Sequence, residues 1–178
     1  LTKVLGRVAE AASDAELPLL ERRDNVERVL LVVFTSDRGL CGGFNSNLLR
    51  DVERRVREIK AEGREVSITT VGKKAREYLR KRGYPVVESH IDVEPSEFPA
   101  MAAELGAKLR VAFVDDGFDQ VQLVYNRFVS AMTQRPTGFE LLPISVQGTD
   151  GQPDEAEIGG DYRYEPEGGA ILAALLPL

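Results

Sequence analysis

This 178-residue sequence contains one cysteine, Cys41, one histidine, His90, and no tryptophan. A single cysteine excludes an internal disulfide and, with it, a disulfide-stapled secreted framework. One cysteine and one histidine fall short of the four Cys or His ligands that a structural zinc site normally needs. No apolar run approaches the ~20 residues that span a bilayer. No signal peptide is evident. The chain opens on Leu1 rather than on an initiator Met, so further residues are expected upstream. Positive charge is also in short supply. Lys and Arg number 23 against 29 Asp and Glu, a net charge of −6. That argues against a nucleic-acid binder, which needs a concentrated basic face.

What is present suits a soluble globular chain, with 43% hydrophobic and 29% charged residues. The length fits one domain, with or without an appendage. Val4, Leu5, Val8 and Ala12 recur at helical spacing in the first segment. Pro18 and ERRDN then read as a linker. Val29 to Thr35 is a continuous apolar run, as expected of a strand buried on both faces. Asn45 or Ser46 is placed to cap a helix with the apolar stripe Leu48, Leu49, Val52, Val56 and Ile59, ending at Gly63. Val66 to Val71 reads as a second strand. A short helix with Ala75, Tyr78 and Leu79 stops at Gly83, and Pro85 to Val87 follows as a weaker third strand.

Ser96 is the expected cap of a helix with Met101, Leu105, Leu109 and Phe113 inward and Gly117 at its end. Val121 to Phe128 reads as a fourth strand, Ser130 to Gly138 as a polar connection, and Phe139 to Val146 as a fifth strand. Gln147 to Asp161 reads as loop, and Glu165-Pro166 as the start of a helix carrying Ile171, Leu172 and Leu175. Strand and helix alternate three times. The expected fold is therefore α/β and Rossmann-like: a mainly parallel sheet of about five strands flanked by helices, with strands four and five as an antiparallel edge pair.

The segment SDRGLCGGFN, Ser36 to Asn45, lies between the first strand and first helix. Phosphate is often held at such a place. The chemistry does not follow. A P-loop needs a lysine and a fixed glycine spacing, and the dinucleotide fingerprint needs G-x-G-x-x-G. Here Gly39, Gly42 and Gly43 are spaced G-x-x-G-G, with no lysine, and the second strand ends without an acidic ribose partner. The glycines read better as allowing a tight turn and close helix-on-sheet packing.

Cys41 beside Arg38 invites a nucleophile reading, but no positioned base accompanies it. It reads as a small, buried, inert cysteine. His90 reads as a strand-end residue, solvated or hydrogen-bonded. Asp37, Asp115, Asp116 and Asp119 resemble an acid–base set only by number. Asp115-Asp116-Gly117 reads as a helix stop, and Asp37 as a partner of Arg38 or of loop amides. The charge run from Glu53 reads as a solvated helix face with pairs such as Glu53–Arg57. No catalytic, cofactor-binding or metal-ligating residue is assigned.

Four ordered segments carry a resemblance. TSDRGLCGGFNSNLLR (35–50) resembles the signature segment of the gamma subunit of F-type ATP synthase. VGKKAREYLRKRG (71–83), VYNRFVSAMTQRPTGFELLP (124–143) and DYRYEPEGGAILAALLPL (161–178) are similar to further blocks of that family in the same order. The resemblance implies a non-catalytic rotor part without a cofactor, in which Asp37, Arg38, Gly39, Leu40, Cys41, Gly42 and Gly43 form the signature loop. It implies residues 1–25 as the end of a long helix and linker, 26–160 as the α/β central domain, and 161–178 as the start of a second long helix.

The family's long helices form an antiparallel coiled coil inside an alpha/beta hexamer, while its central domain meets the epsilon subunit and the ring of c subunits. Here only stubs of those helices are present. By the same resemblance Tyr162 and Tyr164 either contact epsilon or the c ring or pack a helix onto the sheet, and Arg38 either anchors an interface or ties down the loop. The implied location is peripheral to an energy-coupling membrane, on the cytoplasmic face of a bacterial inner membrane, without direct membrane insertion. The competing reading is a small α/β nucleotide-binding enzyme or sensor that uses the SDRGLCGG loop.

Overall fold

The computed structural model describes residues 18–130 and 132–144. In chain order the elements are β1 (Arg28–Phe34), α1 (Phe44–Ala61), β2 (Glu65–Val71), α2 (Lys73–Lys81), β3 (Val86–His90), a 3-10 turn (Pro95–Glu97), α3 (Phe98–Val114), β4 (Gln120–Ser130) and β5 (Thr133–Leu142). The strands form one sheet in the order β3-β2-β1-β4-β5. β1 pairs in parallel with both β2 and β4, β2 with β3, and only β4–β5 is antiparallel. The expected α/β architecture and the antiparallel edge pair are both present.

The valine-rich run of β1 is central because it can bury both faces. Val29, Leu31 and Val33 join the apolar cluster on the side of α1 and α2, where the whole predicted α1 stripe is buried. Leu30 and Val32 join the opposite cluster with Leu105, Leu109 and Phe113 of α3. Burying one such side chain is worth about 1.5–3 kcal/mol, so the alternation along β1 fastens both layers to one strand. The chain moves outward through β2 and β3, then crosses back over β1 to form β4. The direction of winding thus reverses between β1 and β4, and the carboxyl ends of the strands there are the usual ligand position in such sheets.

Several boundaries differ from expectation. β4 and β5 run on through the segment expected to be a connection, and β5 ends at Leu142, before Pro143. Their outer parts form a two-stranded ribbon beyond the core, which water reaches on both sides, so polar residues suit them. Pro136 pairs opposite Asn126 on the edge strand β5, where a missing N–H is tolerated. α1 begins after Gly43 with no side-chain cap, so neither Asn45 nor Ser46 caps it. Ser96 is not a cap either: Glu94 and Glu97 form a reciprocal capping box around the 3-10 turn that leads into α3. On α1, Glu53 reaches Arg82 at 3.3 Å rather than Arg57, and Asp51 is held by Arg54 and by Arg55, the latter at 2.7 Å.

Candidate functional site

The loop from Thr35 to Gly43 leaves the carboxyl end of β1 and turns into α1. Its fastener is Asn45. The Asn45 Oδ1 accepts the Ser36 amide at 3.1 Å. Its Nδ2 donates to Ser36 Oγ at 2.8 Å, to the Arg38 carbonyl at 3.4 Å and to Cys41 Sγ at 3.0 Å. Ser36 Oγ also donates to the Arg38 carbonyl at 2.6 Å. Arg38 is thus held through its own carbonyl, and its exposed side chain does not tie the loop down. The tip points outward. Leu40 is fully exposed and has φ +61°, a left-handed conformation that is strained for a non-glycine residue. Gly42 has φ +56°. A side chain at Gly43 would meet Asn47 Nδ2 at 2.7 Å. Gly39 has ordinary space, 3.7 Å from Lys74 Cε.

Cys41 is exposed, not buried as its residue type suggests, because it sits on this outward tip. Its sulfur faces Asn45 and, at 3.9 Å, Ser36 Oγ, neither of which is a base. A nucleophile–base pair is therefore not formed around it.

The loop's inner edge is committed to another element. Asp37 Oδ1 accepts the Lys73 amide at 2.8 Å. The Ser36 carbonyl accepts the Lys74 amide at 3.2 Å, and Thr35 Oγ1 accepts the Ala75 amide at 2.9 Å. The Arg76 amide bonds to the Gly72 carbonyl at 3.4 Å. All four first-turn amides of α2 are thereby used. A phosphate at that helix start would find no free donor and a carboxylate already in its place. Asp37 is partner to a backbone amide across the loop, not to Arg38.

This docking brings Gly72 within reach of β1. A side chain there would lie 2.2 Å from the Thr35 carbonyl oxygen, and Gly72 has φ +105°. Gly39, Gly42 and Gly43 stand out in the sequence, but among the described residues Gly72 is the glycine under the tightest constraint.

Beside the loop a crevice of about 820 Å³ opens over the carboxyl ends of β1, β2 and β3. Asp37, Arg38, Lys73, His90, Asp92 and Glu94 contribute to its wall. Three carboxylates against two cations give it no pull on an anion. His90 Nε2 is sealed from solvent and accepts or donates no hydrogen bond within geometric limits, though it lies 3.3 Å from Glu88 Oε1. No trio of His, Cys, Asp or Glu close enough to share a metal ion occurs among the described residues. No helix among them is long and apolar enough to cross a membrane.

Asp115 and Asp116 end α3, and Gly117 follows at φ +74°. Asp119 is separate and structural. Its carboxylate accepts the amides of Glu27 and Arg28, each at 2.8 Å, and binds Arg23 Nη1 at 2.7 Å. Burial pushes its carboxyl up, but the Arg28 amide, the Arg23 guanidinium and the Glu27 amide together hold it below the usual carboxylate range. Tyr162 and Tyr164 lie outside the described residues, as do the expected terminal helices.

A family model described as ATP synthase matches residues 1–178, the whole chain. The ATP synthase gamma chain of Syntrophus aciditrophicus (strain SB) is 41% identical over 176 residues, covering 99% of this chain and 60% of that one. The gamma chain of Geobacter sp. (strain M21) is 41% identical over 177 residues, with the same coverage. This chain thus spans about 60% of the length of the curated relatives it matches. Among solved structures, the central stalk/c-ring of Tetrahymena thermophila mitochondrial ATP synthase gives a TM-score of 0.60 at 24% identity, covering 96% of this chain and 72% of that one. The rotor of Euglena gracilis mitochondrial ATP synthase gives 0.51 at 20% identity, covering 96% and 64%. Those two likenesses concern the fold alone, whereas the sequence matches over the full chain settle kinship: this chain belongs to the ATP synthase gamma chain family.

Proposed function

We propose that this chain is the foot of a non-catalytic central rotor stalk, coupling ion-driven rotation of a c ring to ATP synthesis by an alpha/beta hexamer. One observation carries the reading. The Ile144 amide donates to the Leu19 carbonyl at 2.7 Å, so the two ends of the described segment lie side by side. Segments that continue from neighbouring points can run side by side in opposite directions, as an antiparallel helix pair requires. The occupied amide donors of α2 close that helix start to a phosphate, and the glycine spacing and missing lysine of the SDRGLCGG loop ahead of α1 count against the nucleotide sensor.

In this proposal the partners are the epsilon subunit and c ring at the foot, and alpha and beta through the flanking helices. Arg38, Tyr162 and Tyr164 are contact candidates, and the complex sits peripherally on the cytoplasmic face of a bacterial inner membrane. The test is co-expression of the full-length chain with its cognate alpha, beta and epsilon subunits. A stoichiometric complex that hydrolyses ATP only when this chain is included supports the proposal. Failure to assemble sinks it. Tight one-to-one binding of ATP, GTP or NAD by this chain alone, abolished by Gly42→Val, would favour the sensor instead.

A further inference from the structure

We infer that the β4–β5 hairpin is a docking surface for an acidic protein segment, gripped by Arg127 and Arg135 and seated on the hairpin's apolar end. Arg127 and Arg135 are directly opposed across the antiparallel pair, and both are exposed. Like charges in that position are destabilising. A carboxylate on the same ribbon would relieve the repulsion, yet residues 120–139 contain two arginines and no Asp or Glu, in a chain where acids outnumber bases. The acids bordering the ribbon are already engaged. Glu140 is hydrogen-bonded by Gln120, and Asp51 by Arg54 and Arg55.

A third guanidinium converges on the same place. Arg55 lies over Gly138, where an added side chain would sit 2.3 Å from Arg55 Nη1. The three arginines line one hollow of about 590 Å³ together with Phe128, Val129 and Pro136. At the end of the ribbon Phe128, Val129 and Met132 are 72%, 55% and 94% exposed. Arginine forks match carboxylates bidentately. Arginine with aromatic and methionine side chains is also the composition of interface anchors.

Charge complementarity selects the occupant. Two unpaired arginines suit a few carboxylates, not a phosphate polymer that this net −6 chain would repel. The arginines and part of the apolar set line a concave hollow, which a side chain can enter and a bilayer cannot. The inference rests on the hairpin alone and does not require the rotor reading.

The test uses the full-length chain and a fluorescein-labelled peptide of alternating glutamate and leucine, followed by anisotropy at low and high salt. Binding should weaken as salt rises. Arg135→Glu should reduce affinity roughly ten-fold or more. By creating an opposite-charge pair with Arg127, it should at the same time raise Tm by roughly 1–3 °C. Met132→Ser should also weaken binding, and Arg80→Glu, on exposed α2 surface, should leave it unchanged. Absence of peptide binding overturns the inference. So does a Tm gain from Arg135→Glu with unchanged affinity, because the arginines would then be an unrelieved folding cost and nothing more. Arginine-dependent binding to phosphatidylglycerol vesicles or to poly(dT) in place of the peptide overturns it as well.

Discussion

Asp37 and Lys73, 36 positions apart in sequence, meet where the Asp37 carboxylate accepts the Lys73 amide at 2.8 Å. The contact places a negative charge at the positive end of α2 and satisfies one of its orphan donors. Asp37→Ala should therefore cost about 1 kcal/mol of stability, read as a fall in urea midpoint at unchanged slope. It should also speed hydrogen exchange at the Lys73 amide. Unchanged exchange at that amide would show that the contact does not cap the helix.

Gly72 and Gly39 should respond oppositely to the same substitution. Gly72→Ala puts a methyl 2.2 Å from the Thr35 carbonyl oxygen at φ +105°. Strain and overpacking together should cost about 3 kcal/mol or more, enough to threaten soluble expression. Gly39→Ala meets nothing closer than 3.7 Å, at the end of the flexible Lys74 side chain, and should stay within about 0.5 kcal/mol of the parent. Thermal and urea melts of the two variants check the ranking. Equal effects would mean that the loop, rather than the β1–α2 contact, holds this end of the sheet.

The contrast marks what the sequence could express. Val29 to Val33 announces a central strand because burial on both faces needs an unbroken apolar run, and the α1 stripe from Leu48 to Ile59 announces its buried face by periodicity. Local patterns of that kind are legible. The need for glycine at position 72 is not, because it arises from the approach of Thr35, 37 residues earlier, once β1 and β2 pair. The ribbon ends of β4 and β5 were hidden for another reason: beyond the core no face is buried, so no alternation marks them. Residue-type statistics favour burial of Cys41, whereas its loop turns outward and exposes it. Asn45 looked like a helix cap and spends its side chain on Ser36, Arg38 and Cys41 instead.

That arrangement makes the Cys41 thiol a reporter on the loop. Asn45→Ala removes the side-chain bonds from α1 to Ser36, Arg38 and Cys41 and should cost about 1–2 kcal/mol. Cys41 should then react faster with a thiol reagent such as dithionitrobenzoate under native conditions. Leu40→Gly acts the other way. It removes a left-handed leucine that buries nothing, and relief of that strain should stabilise the chain by about 1 kcal/mol. A destabilised Leu40→Gly variant would show that the leucine packs against the domain after all.

Asp119 makes stability depend on acid in a defined direction. Its folded-state pKa lies below the ordinary carboxylate value, so its stabilising contribution is present above the unfolded pKa of about 3.9. That contribution is lost as pH falls through the lower folded value. At neutral pH Asp119→Asn offers an amide group to the Glu27 and Arg28 N–H donors and to Arg23, and should cost about 1–3 kcal/mol. Arg23 also donates to the Phe113 carbonyl at 2.8 Å, so the loss should loosen the end of α3 together with the start of β1. The stability gap between parent and variant should hold from neutrality to about pH 5 and narrow below about pH 4. Urea melts across that range measure it. A gap that widens on acidification would mean that the ionised carboxylate is not what holds the two amides.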